Sequence, residues 1–177
     1  MNSLTAFISP SEARKLPLHS PEREIAEHAL RQLWHYLYDY APKLLGIFSP
    51  DGKSLLEDWL ECHYRERASI GWWSFPILLE HPEVQSHLDK ELKTEILSAA
   101  VTRWLSSDRT EAQSICLMER NYGICILGLK SEGLADSKQI LCMSHSMIEA
   151  KDAIFFSTSP GRELKSHTSW TEVWSPE

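Results

Sequence analysis

Apolar residues recur at helical spacing through the first two-thirds of the chain and then gather into short runs. After Ser20, the positions Ile25, Ala29, Leu33, Leu37 and Tyr40 repeat every three to four residues, with Glu24, His28, Arg31, His35 and Asp39 on the other side. This periodicity predicts an amphipathic helix up to Ala41, stopped by Pro42. Glu27 and Arg31 stand four apart in the order that favours an ion pair. Leu55, Leu56, Trp59, Leu60 and His63 predict a second helix. From Pro82, a third is predicted through Val84, Leu88, Leu92, Ile96, Ala100 and Trp104, flanked by Leu97, Val101 and Leu105. Asp89 and Lys93 would pair on its wet side.

Ser-Pro followed by a polar or acidic residue occurs at Ser9-Pro10-Ser11-Glu12, Ser20-Pro21-Glu22 and Ser49-Pro50-Asp51. Each fits a helix start, in which the serine oxygen takes an orphan amide and proline has no amide to lose. Past Asp108 the texture changes. Ile115–Glu119 and Ile124–Leu129 flank Asn121-Tyr122-Gly123 and read as a hairpin. Gln139–Ile148 and Ala153–Thr158 read as a second strand pair, and Thr171–Trp174 as a last edge strand. Helices followed by strands predict an α+β fold, with N-terminal helices packed on a C-terminal antiparallel sheet of about four or five strands. One domain is expected over 1–177. Its parts are a loose arm over 1–18, a mainly helical part over 19–108 and a mainly β part over 109–177.

Composition narrows the function classes. Hydrophobic residues at 42% and charged residues at 24% are an ordinary globular balance. A formal charge of -7, with no dense basic run, argues against nucleic acid as a partner. No run reaches the apolar length of a membrane span, and the N-terminus MNSLTAFISPSEARK lacks the basic start and apolar core of a secretory signal. Cys62, Cys116, Cys125 and Cys142 have no disulfide-framework spacing. They are expected as reduced thiols in a cytoplasmic protein.

Candidate chemistry is thin. With a three-residue loop at Asn121–Gly123, Arg120 faces Ile124 and Met118 faces Ile126. Cys116 and Cys125 then fall on opposite faces as inert core thiols; a two- or four-residue loop would put them on the same face. Cys142 and His145 stand three apart, which a strand places on opposite faces, and Cys62 and His63 diverge around a helix. Neither pair completes a metal set, so no metal and no cofactor is expected. No Gly-x-Ser-x-Gly, phosphate loop or dinucleotide glycine motif occurs, and Ser159-Pro160-Gly161-Arg162 reads as a turn.

Two features point to contact instead. Trp72 and Trp73 beside Phe75 form an aromatic cluster in a predicted loop, set against the alternative that these rings lid the core. Both faces of the predicted strands are apolar, so the second face needs a cover from the chain or from a second copy. The sequence therefore leads to a small protein-binding module, such as an adaptor, inhibitor, immunity-type or chaperone-like protein. It would act through an aromatic and acidic surface on another protein or as a homodimer. The rival class is an enzyme or small-ligand sensor with a Cys/His pair in a pocket between helices and sheet; Cys142, His145 and the histidines of the first helix are its candidates.

Overall fold

Two of the Ser-Pro signals cap helices in the computed structural model, which describes residues 9–47, 52–65, 70–107, 111–119, 123–130, 137–142, 154–159 and 171–174. Ser9 Oγ accepts the Glu12 N–H at 3.1 Å and opens α1, Pro10–Lys15. Ser20 Oγ accepts the Arg23 N–H at 3.2 Å and opens α2, Pro21–Tyr38. The stretch expected as a loose arm therefore contains a capped helix. Ser49-Pro50-Asp51 lies outside the described residues. The chain divides into two compact units, Met1–Ile70 and Gly71–Glu177.

In the first unit, α2 is followed by α3, Pro42–Ile47, and α4, Lys53–Arg65. The α2 face differs from the one read off the sequence. Ala26, Leu37 and Tyr38 are buried and Trp34 is half-buried, whereas Ala29 is exposed and Ile25 is 59% exposed. Burying Trp34 and Tyr38 removes more apolar surface than burying Ile25 and Ala29, so the aromatics set the rotation of the helix. Pro42 restarts a helix as well as stopping one, as suits proline in a first turn. In α4, Leu55, Leu56, Trp59, Leu60 and His63 are all buried, as their spacing predicts. The Tyr38 hydroxyl donates to the Gly52 carbonyl, which holds the entry to α4 against α2.

The second unit opens with α5, Ser74–Ile77, a short 3-10 turn at Leu78–Glu80, and α6, Pro82–Gln85. The helix predicted from Pro82 onward is interrupted after Gln85 and resumes as α7, Lys90–Ser107. Asp89 is the reason for the restart: its Oδ1 accepts the Leu92 N–H at 2.7 Å, an N-cap bond. It does not serve Lys93 on a wet side. Lys93 is 3% exposed, and its Nζ lies 3.0 Å from Glu119 Oε1, itself fully buried. α7 is buried around most of its circumference, through Leu92, Ile96, Leu97, Ala100, Val101 and Trp104.

The expected fold class is corrected here. The described chain is mostly helical, with seven α-helices, and is α+β only broadly. Its sheet, described with side chains, is a two-stranded antiparallel hairpin of β1, Ser114–Glu119, and β2, Ile124–Leu129. Three further segments are described chiefly by their backbone: β3, Ser137–Cys142, along β2; β4, Ile154–Ser159, along β1; and β5, Thr171–Trp174, along β4. β3 and β4 therefore flank the hairpin and are not partners of each other, contrary to the second strand pair read from the sequence. The N-terminal helices α1–α4 belong to a unit of their own, and the helix packed on the hairpin is α7. Physically, α7 is apolar enough all round to be a core element, and among the helices expected over 19–108 it is the one that packs on the hairpin.

Register fixes what each face meets. Glu119 pairs with Ile124 and Met118 with Cys125, which leaves four residues between the strands, one more than expected. Paired residues share a face. Ile115, Leu117, Glu119, Ile124, Ile126 and Gly128 form one face, and Ser114, Cys116, Met118, Cys125, Leu127 and Leu129 the other. The first meets α7: a Cβ on Gly128 would lie 2.6 Å from Val101 Cγ1 and 3.1 Å from Ile115 Cγ2. The second is covered within one chain as far as Cys116 and Met118, both buried.

Two outcomes follow for stability. Lys93→Met leaves the Glu119 carboxylate buried without its ammonium and is expected to cost about 3–5 kcal/mol in denaturant unfolding. Adding Glu119→Leu restores most of that loss. Gly128→Ala drives a methyl into Val101, and the expected loss is about 1–3 kcal/mol, read from the same unfolding curves.

Candidate functional site

The aromatic cluster sits on a tight turn. Ser74 N–H donates to the Gly71 carbonyl at 3.1 Å, while Gly71 N–H donates to Ser74 Oγ at 3.0 Å. This reciprocal pair holds Trp72 and Trp73 at the middle of the turn, just before α5. Both indoles are half-buried, and Phe75 is fully buried in the core. The turn thus sets the two half-buried tryptophans side by side in the chain just ahead of α5, while Phe75 is fully buried.

A second feature lies wholly in the first unit. A cavity of about 490 Å³ is lined by α1, α2 and the start of α4. Pro10, Ala13, Leu30, Trp34 and Leu56 supply its apolar walls. Arg14, Arg23, Arg31 and Lys53 bring four cations to it, against the two carboxylates Glu27 and Glu57. The local balance is +2 in a chain whose formal charge is -7.

Each charge is positioned by a neighbouring turn of helix. Arg23 Nε lies 2.6 Å from Glu27 Oε1, and its Nη1 donates to the Ala13 carbonyl at 2.8 Å, tying α2 to α1. The hydrogen bond from Arg23 holds the Glu27 carboxyl below the usual carboxylate range, so it stays ionised at neutral pH. Arg14 pairs with Glu57, and Lys53 Nζ lies 3.8 Å from the same carboxylate. Arg31 differs. It is exposed, and it makes one long bond, Nε to the Glu27 carbonyl at 3.4 Å. The ion pair expected between Glu27 and Arg31 is formed by Arg23 instead. Arg31 is left facing the cavity with most of its donors available to a ligand.

The thiols are placed differently from the expectation. With four residues in the loop, Cys116 and Cys125 share a face and sit diagonally across the ladder, Sγ to Sγ 3.0 Å. They are free thiols, 2% and 8% exposed. Among the described residues Cys62 is a third cysteine outside any disulfide, half-buried on α4. His63 is buried, its Nδ1–H donating to the Trp59 carbonyl at 2.9 Å. His145 lies outside the described residues, as do Pro160, Gly161 and Arg162, and Cys142 is described only by its backbone in β3. No group of three metal-ligating side chains occurs among the described residues.

The cavity escaped the sequence reading because the net charge is acidic and its cations come from three helices. The available signal was Arg23 and Arg31, eight apart on α2 and so close to one face, with Glu27 between them. Among the described residues, no helix is long and apolar enough to cross a membrane.

Comparison with known proteins gives one family. A model of the family described as Methanobactin biosynthesis cassette protein MbnC-like matches residues 15–174. The match spans nearly the whole chain, and the chain belongs to this family. No curated protein matches it.

Proposed function

We propose that this member of the MbnC-like family is a binding component of its biosynthetic cassette, holding another cassette product rather than transforming a substrate itself. The observation that carries the reading is the cationic, apolar-walled cavity of the first unit. Its chemistry suits a segment that alternates carboxylates with apolar side chains. The apolar groups would take the walls at Leu30, Trp34 and Leu56, and a carboxylate would take the guanidinium of Arg31. Arginine offers a planar fork that a carboxylate can meet with two bonds. A cassette supplies several products to one pathway, and this sequence carries no Gly-x-Ser-x-Gly, phosphate-loop or dinucleotide glycine motif. The partner in this reading is another protein or peptide of the cassette, in the cytoplasm. The buried second face of β1 removes one reason for a homodimer.

The half-buried Trp72 and Trp73 favour a second contact, at the Gly71–Ser74 turn. A large rigid aromatic that is partly open at a turn is the kind of side chain that dominates binding energy once covered.

Titration of the purified chain against each cassette product in turn is expected to find one that binds, with affinity falling as salt rises. Arg31→Glu, on an exposed helix position, is expected to weaken that complex at least tenfold, about 1.4 kcal/mol, without changing the unfolding midpoint. Absence of binding to every cassette product, or a complex indifferent to both salt and Arg31→Glu, overturns the reading. For the second contact, Trp72→Ala is expected to weaken the same complex while the helical circular dichroism is kept. Unaltered affinity in a folded Trp72→Ala protein removes the turn from the interface.

A further inference from the structure

The hairpin register sets two sulfurs side by side that nothing in a packing role requires. Cys116 and Cys125 are separated by 3.0 Å at Sγ, on the face of β1 and β2 turned away from α7. A single cysteine on a helix, such as the half-buried Cys62 on α4, is common in a structural role. A pair at this spacing is a different object. Closing it to the 2.03–2.05 Å of a disulfide needs the sulfurs to approach by roughly 1 Å, and because diagonal neighbours on a ladder stand about 7–8 Å apart, a shear of the two strands must accompany the side-chain rotation.

We propose that Cys116 and Cys125 are a thiol-oxidation site, a dithiol that a peroxide converts to a disulfide across the β1–β2 hairpin. The two sulfurs are not equivalent. The hydrogen bond from Cys116 pulls the Cys125 thiol below its ordinary range, while that same contact and burial push the Cys116 thiol up. Cys125 is also the more open of the two, at 8% against 2% exposed. Its thiolate is thus the attacking group, and Cys116 keeps its proton until the second step.

The chemistry balances without another reagent. Cys125 Sγ attacks one peroxide oxygen, the S–O bond forms and the O–O bond breaks. The departing hydroxide takes up the proton that the thiol released and leaves as water. Cys125 is then a sulfenic acid. Cys116 Sγ attacks Cys125 Sγ, the S–S bond forms and the S–O bond breaks. The hydroxyl leaves with the Cys116 proton as a second water. Two thiols have lost two electrons, and one peroxide has been reduced to two waters. A dithiol reductant returns the pair by exchange.

The test uses the full-length reduced protein and hydrogen peroxide as the probe. After exposure the protein is unfolded in N-ethylmaleimide, and its intact mass and cysteine peptides are read. The expected result is loss of two of the four maleimide additions, a peptide joining Cys116 to Cys125, and recovery of all four additions after dithiothreitol. Cys116→Ala is expected to stop at a Cys125 sulfenic acid that a 1,3-diketone traps, whereas Cys125→Ser leaves Cys116 unoxidised. Four additions after peroxide, a bridge that uses Cys62 or Cys142, or irreversible sulfinic acid in the wild-type protein would each overturn the proposal. The wild-type experiment needs no variant to fold. It is also independent of the cavity, whose test reads binding and not thiol state.

Discussion

The ion pair between Lys93 and Glu119 is the constraint on which the second unit turns. Both groups are buried, one on α7 and the other at the end of β1, with 3.0 Å between nitrogen and oxygen. Removing two charges from water is expensive, and the attraction regained inside offsets that cost only when the geometry is good. The pair is therefore better understood as a specifier than as a source of stability. It obliges the odd-numbered residues of β1 to face α7, because a buried Glu119 on any other face would lack its ammonium. Gly128 does the same for β2, where only a residue without a Cβ lets Val101 approach so closely. With both strands pinned to one helix, the loop between them must contain an even number of residues. The neighbouring thiols follow from that parity: Cys116 and Cys125 meet because Glu119 and Gly128 both face α7.

This parity was the point at which the sequence was hardest to read. Asn-Tyr-Gly suits a three-residue loop ending in a left-handed glycine, and Gly123 does adopt φ 62. A four-residue loop can use that glycine equally well, so turn chemistry alone does not decide. The deciding information was long-range, held in Lys93 and Glu119, which stand 26 positions apart. Asp89 offered Lys93 a nearer partner in the sequence. In the structure that carboxylate caps the helix instead, since an orphan amide three residues on is closer than a side chain four residues away.

What was legible was local. Ser9 and Ser20 cap helices because a serine oxygen and a following proline meet the needs of a first turn, whatever lies around them. The buried stripe of α4 was legible too, because Leu55, Leu56, Trp59, Leu60 and His63 leave no competing face. In α2 the stripe slipped, since Ile25 and Ala29 have the right period but less surface to bury than Trp34 and Tyr38. The order of strands was not legible at all. β3 and β4 are consecutive in the chain yet lie on opposite sides of the hairpin, and no period-two pattern states which strand lies beside which.

Net charge misled in a related way. A value of -7 describes the field far from the molecule, while recognition depends on the few charges within a Debye length of the ligand. In the first unit those few are cations. Arg23 is committed to Ala13 and Glu27, and Arg14 to Glu57, so these arginines hold α1 against α2 and α4 while their charge still faces the cavity. The paired carboxylates do not cancel the site, because four cations meet only two of them. An acidic exterior with a cationic recess also discriminates between ligands. A strongly acidic chain is repelled by the surface at large, whereas a short acidic segment beside apolar residues meets attraction at the recess and cover from its walls. Under the binding role proposed above, selectivity for a partner of mixed character would follow from the contrast between the two fields, and neither field alone would supply it.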